Sequence, residues 1–211
     1  MIAEIKKASP SAGIIRHDFQ PSEIARGYAG AGAACISVLT DERYFFGNLA
    51  TIAAVRRCTD CPVLRKDFII HPWQVAESRA AGADAILLIA AALEYAELEM
   101  LLERTQQLGM EALLEVHTAD EASLALACGA SMIGINNRNL STFETRIETT
   151  EEIISALPQL RERLLVSESG IRSRDDIRRL AAAGASAVLV GETLMRAPDP
   201  GEALKQLTRE R

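Results

Sequence analysis

No apolar run in this chain reaches the roughly 18 residues that a membrane span needs. Acid and base enter at Glu4 and Lys6, too early for a signal peptide. The protein therefore reads as cytoplasmic, with no membrane partner. Positive charge is scarce: 23 Lys and Arg face 29 Asp and Glu, a net charge of −6. Such a chain is a poor general binder of nucleic acid, whereas a small phosphate needs only a local field. His17, His71 and His117 lack metal-ligand spacing and read as bystanders. Cys58 and Cys61 form a C-x-x-C, but no second pair or close His pair completes a zinc site. They read as small residues in a turn. There is no early G-x-G-x-x-G, and no linker or low-complexity tract divides the 211 residues. One domain over 1–211 is expected.

What is present is an alternation of short apolar runs and helical stretches. Apparent strands cover 1–6, 34–39, 63–66, 84–89, 111–116, 132–136, 164–168 and 187–190. They are near-continuous apolar runs, as parallel strands covered on both faces should be. Helix signals lie between them: Ser22, Thr118 and Ser173 as N-caps, with Thr118 and Glu121 spaced as a capping box. The stretch 7–21 reads as loop, and a helix is expected from about Thr150. Gly32-Ala33, Gly82-Ala83, Gly129-Ala130 and Gly184-Ala185 each end a helix before a strand, where a left-handed residue is often needed. Two strand–helix units fit each interval, about 25 residues per unit, which suits a (β/α)8 TIM barrel. An open doubly wound sheet is the main alternative.

In such a barrel, chemistry sits at the C-terminal ends of the strands. Those ends carry Glu4 and Lys6, Lys66, Glu115, Asn136 and Arg138, and Glu168. So many polar groups at strand ends point to a shared pocket around Lys66. Neighbouring cations would disfavour its charge and neighbouring carboxylates would favour it; both outcomes are open from sequence. Ser167-Glu168-Ser169-Gly170 and Gly191-Glu192-Thr193, after the seventh and eighth strands, suit a phosphate site. Tyr44, Phe45, Phe46 and Phe68 lie in loops where they could wall a flat apolar group.

Several stretches together resemble indole-3-glycerol-phosphate synthase. They are Ile2-Ala3-Glu4-Ile5-Lys6-Lys7-Ala8-Ser9-Pro10-Ser11, Leu64-Arg65-Lys66-Asp67-Phe68-Ile69, Leu114-Glu115-Val116, Gly134-Ile135-Asn136-Asn137-Arg138-Asn139-Leu140, and the two glycine loops. The resemblance implies ring closure, decarboxylation and dehydration of 1-(2-carboxyphenylamino)-1-deoxyribulose 5-phosphate, with no cofactor and no metal. It implies Lys66 as the acid on the ketone oxygen, Glu115 as base or proton shuttle, and Lys6 on the carboxylate, oriented by Glu4. Asn136 and Arg138 would hold the reacting centre, and Glu168 and Ser169 would orient the substrate. Ser9, Gly170, Gly191 and the Glu192 N–H would grip phosphate, while Phe45, Phe68 and Leu87 would pack on the aromatic ring. Other tryptophan-pathway enzymes are the protein partners it suggests.

Against the family pattern the chain is N-terminally short, beginning almost at the first strand. The missing segment predicts weaker substrate binding and lower stability. Thr193 and Asn139 stand where Ser and Asp are common. Two other readings remain: another phosphosugar barrel enzyme, such as the isomerase one step earlier, or a folded phosphate-binding barrel with little activity. The isomerase resemblance would put a cysteine acid at the end of the first strand, where Glu4 and Lys6 stand.

Overall fold

The computed structural model describes residues 1–209. Eight parallel strands close into a barrel: β1 (Ile2–Ile5), β4 (Cys35–Leu39), β5 (Val63–Lys66), β6 (Ala85–Ile89), β7 (Glu111–Val116), β8 (Met132–Asn136), β9 (Leu164–Glu168) and β10 (Ala187–Val190). β1 pairs with both β4 and β10, which closes the ring and excludes the open-sheet alternative. The helices between strands are α1 (Pro21–Gly30), α2 (Ala50–Arg56), α3 (Pro72–Ala81), α4 (Tyr95–Gln107), α5 (Ala119–Ala127), α6 (Glu148–Ala156) and α7 (Arg174–Ala183). α8 (Glu192–Arg196) and α9 (Pro200–Thr208) follow β10.

Strand alternation divides the buried apolar residues into two cores. Ile2, Leu64, Leu87, Leu113, Val166 and Leu189 fill the barrel itself. Their neighbours along the strands, such as Ile36, Ile86, Leu114 and Leu165, pack outward against the helices. Full burial of each such side chain stabilises the fold by about 1.5–3 kcal/mol. Gly32, Gly82, Gly129 and Gly184 all have positive φ, as the helix-ending glycines were expected to.

Three local expectations need correction. Residues 7–21 are not wholly loop: β2 (Ala8–Ser9) and β3 (Gly13–Ile14) form a small antiparallel hairpin. Ser22 is not the cap of α1; Pro21 occupies the first turn, its fixed φ suited to that place, and Gln20 stands at the cap without a side-chain bond. The Thr118 hydroxyl does accept from the Glu121 N–H, but the Glu121 carboxylate reaches past Thr118 to the His117 N–H, at 2.7 Å. Ser173 caps α7 as expected, and Asp176 closes a reciprocal box with it.

Candidate active site

Barrel tilt puts residues of alternate strands at one level. Through Ser37, Glu4 is in register with Leu64, two residues before Lys66. Through Gly134, Glu115 is in register with Val166, two before Glu168. Through Leu189, Glu168 is in register with Ile2, two before Glu4. The barrel interior is therefore layered as this fold requires. Ile2, Leu64, Leu113 and Val166 make one layer, and Glu4, Lys66, Glu115 and Glu168 make the charged one above it. The inward alternation that buries four aliphatic groups also converges four ionisable ones.

Lys66 Nζ stands 2.7 Å from Glu168 Oε2, 3.5 Å from Glu4 Oε2 and 3.9 Å from Glu115 Oε2. Burial alone would lower its pKa. Glu168, Glu4 and Glu115 outweigh burial and hold the ammonium well above the ordinary lysine range. The question left open by sequence is thus decided by the carboxylates. Glu4 is also buried, yet Lys6, at 2.6 Å, and Lys66 bring it down to about 2. Glu168 shows the opposite balance. Burial, assisted by Glu115 and Glu4, outweighs Lys66 and raises it to about 7. Its Oε1 has no hydrogen-bond partner, and a Cβ on Gly134 would collide with that oxygen. Glycine at 134 is what leaves room for the carboxylate.

His117 corrects a further expectation. It is no bystander: Nε2 lies 3.4 Å from Glu115 Oε1, and Nδ1 lies 3.4 Å from Glu121 Oε2. Neither nitrogen has hydrogen-bond alignment, so the attraction is chiefly between charges. Burial would lower the imidazole, but the two carboxylates raise it to about 9. Glu115 is in turn held below its ordinary value by His117 and Lys66, against its burial.

Above this layer opens a cavity of about 870 Å³. Its walls carry Glu4, Lys6, Ser9, Phe45, Lys66, Phe68, Leu87, Glu115, Asn136, Arg138, Ser169, Gly170, Gly191 and Glu192. Every expected site residue but Glu168 lines it. Glu168 is fully buried beneath and reaches Lys66 instead of the open space. Phe68 meets Tyr44 edge-on at 6.3 Å and Phe45 at a tilt at 6.4 Å between ring centres, an apolar wall opposite the glycine loops. Phe46 is not in that wall; it turns out to solvent with φ 52°.

At the other end, Ser169 and Gly170 both have positive φ, 68° and 80°. Gly191 is forced by space: a Cβ there would strike the Glu4 carboxylate and stand 3.1 Å from Lys6 Nζ. Thr193 donates to the Ile171 carbonyl at 2.6 Å and ties the two loops together. The Arg138 guanidinium spans Ser11, Thr145 and Glu192 at 3.2, 3.2 and 3.5 Å. Leu140, Phe143, Thr145, Arg172 and Arg196 also line the cavity and were not anticipated. They lie beyond the strand ends, where period-two patterning carries no signal. Among the described residues, no three His, Cys, Asp or Glu side chains cluster as a metal site.

A family model described as indole-3-glycerol phosphate synthase matches residues 1–207. The chain belongs to this family. A synthase of that name from Acidithiobacillus ferrooxidans is 56% identical over 207 residues, covering 98% of this chain and 78% of the relative. One from Carboxydothermus hydrogenoformans is 51% identical over 209 residues, with the same coverage. Among solved structures, a 3-hexulose-6-phosphate synthase superposes with a TM-score of 0.73 at 17% identity, covering 98% of both chains. A mandelate oxidase does so with a TM-score of 0.71 at 20% identity, covering 98% of this chain and 69% of the other. At that identity these two show the barrel fold alone. The family match disfavours the isomerase reading.

Proposed function

We propose that the chain converts 1-(2-carboxyphenylamino)-1-deoxyribulose 5-phosphate to indole-3-glycerol phosphate, carbon dioxide and water, as a step of tryptophan biosynthesis. The observation that carries this is the layer of Lys66, Glu4, Glu115 and Glu168 beneath a cavity with an aromatic wall at one end and glycine loops at the other. The substrate has the matching polarity: an aromatic ring, a ketone in the middle and a phosphate at the far end.

In this reading Phe45, Phe68 and Leu87 pack on the ring. Ser9, Gly170, Gly191 and the Glu192 N–H hold the phosphate. Lys6, oriented by Glu4, meets the carboxylate, and Asn136 and Arg138 hold the reacting centre. The ring carbon bearing the carboxylate attacks the ketone carbon, and the Lys66 ammonium protonates the ketone oxygen. Carbon dioxide leaves and the ring regains aromaticity. Lys66 then regains a proton from solvent, the one that loss of carbon dioxide from a carboxylate consumes overall. The new hydroxyl departs as water with that proton, while Glu115 takes a proton from the neighbouring methylene and returns it to Lys66. Glu168 keeps Lys66 charged and placed, and Ser169 orients the substrate. Fixing a flexible chain in a ring-closing conformation supplies a large part of such catalysis.

The high proton affinity of Lys66 suits this role. It stays an ammonium at neutral pH, and a developing alkoxide is basic enough to take its proton. The chain acts as one catalytic domain in the cytoplasm, where enzymes that make the substrate and consume the product are its pathway neighbours. The test is fluorescence-monitored turnover of the substrate over a wide concentration range. Saturable appearance of the indole product is expected; substrate binding with no indole product would overturn the reading.

A further inference from the structure

Asn137 follows Asn136 in the chain and so points out of the barrel, toward α6. It is 2% exposed. Its orientation is fixed by two backbone groups. The Ser169 carbonyl can only accept, and Asn137 Nδ2 donates to it at 3.0 Å. The Thr150 N–H can only donate, and Asn137 Oδ1 accepts from it at 3.1 Å. The remaining contacts then allow one closed ring. Asn137 Nδ2 donates to Ser167 Oγ at 3.0 Å, Ser167 donates to Thr150 Oγ1 at 2.8 Å, and Thr150 donates back to Asn137 Oδ1 at 2.8 Å. The amide's two donors and its acceptor are satisfied without water.

This ring acts on a cavity loop with two consecutive left-handed residues, Ser169 and Gly170. Ser169 is a non-glycine at φ 68°, a conformation disfavoured by about 1–2 kcal/mol and needing outside support. In a trans peptide the carbonyl and the following N–H point in opposite directions. Drawing the Ser169 carbonyl outward to Asn137 therefore turns the Gly170 N–H toward the cavity. We infer that Asn137 is a positioning residue: through the Ser169 carbonyl it aims the Gly170 N–H at the substrate phosphate. Asn137 itself touches no substrate. The inference rests on the phosphate-end reading given above.

Asn137→Asp is the test. It keeps the size and the acceptor facing Thr150 but places an acceptor against the Ser169 carbonyl. Loss of one hydrogen-bond donor's worth of positioning predicts about a tenfold rise in KM for the phosphorylated substrate, with kcat nearly unchanged. Competitive inhibition by inorganic phosphate should weaken in proportion, while inhibition by 2-aminobenzoate, which has no phosphate, should not change. A merely structural role would lower the melting temperature and leave the ratio of the two inhibition constants alone; that result overturns the inference. If the wild type is not competitively inhibited by phosphate, the phosphate-end reading fails and this inference falls with it. Thr150→Val, nearly isosteric, opens the same ring more gently. Should Asn137→Asp not fold, a selective loss of phosphate inhibition in Thr150→Val supports the inference, and an unchanged ratio of the two inhibition constants overturns it.

Discussion

Replacing Lys66 with methionine removes the cation that Glu4, Glu115 and Glu168 surround. Taking one partner from a buried ion pair ordinarily costs about 3–5 kcal/mol. Here the layer can relieve itself by binding a proton. Glu168 is already raised from 4.5 to about 7 by burial and by its carboxylate neighbours. Lys66 is the chief influence pulling it down, so without Lys66 its carboxyl stays protonated further above 7. A carboxyl raised in the folded state gives stability that is full below its unfolded value and falls as pH rises toward the folded one. In the wild type that fall ends near pH 7; in Lys66→Met it continues. The stability gap between the two proteins should therefore be nearly constant from pH 6 to 7. Above 7 it should widen by about 1.4 kcal/mol per pH unit, up to the variant's own folded value. Urea unfolding at pH 6, 7, 8 and 9 measures the gap. A gap that is the same at all four would mean that Glu168 takes up no proton, and the reasoning about the layer would be refuted.

The His117 pair, like Glu168, loses its contribution as pH rises. Its folded value, about 9, lies above its ordinary 6.5. It thus gives stability that is full below 6.5 and lost as pH rises through 9, up to about 3 kcal/mol. His117→Gln should erase that slope in stability curves taken between pH 6 and 10; an unchanged slope would show that the imidazole is not charged by Glu115 and Glu121. Gly134→Ala should displace the Glu168 carboxylate from Lys66. Turnover should fall at least tenfold, and overpacking should cost about 1–3 kcal/mol, read by assay and by denaturant midpoint. Wild-type turnover in that variant would mean that Glu168 does not place Lys66.

The barrel was legible because its determinants are local and repeated. Each strand carries a short apolar run, and Gly32, Gly82, Gly129 and Gly184 each break a helix with a left-handed residue. The charged layer was legible for the same reason, since a polar residue ending an apolar strand stands out. What was missed depends on contacts between distant segments or on very short ones. The hairpin of β2 and β3 has two residues per strand, too few to show a period. His117 looked idle because Glu115 and Glu121 close on it only when strand end and helix start are folded together. Its four-residue spacing from Glu121 was the signal available. Glu168 and Ser169 are adjacent in the chain, but one lies under Lys66 and the other in the cavity wall. Asn137 was hidden beside Asn136 because adjacent strand-end residues face opposite sides, and the ring it closes spans three separate elements.

The most direct test of the central claim, that Lys66 is the acid of ring closure, is a single-turnover experiment. Wild type and Lys66→Met are each mixed in excess with the carboxyphenylamino-deoxyribulose phosphate at pH 7, where the variant's layer can bind its compensating proton. Indole fluorescence and released carbon dioxide are followed together. The account predicts one carbon dioxide per indole product from the wild type, and retained substrate with neither product from Lys66→Met. Carbon dioxide and indole released by the variant at the wild-type rate would contradict it.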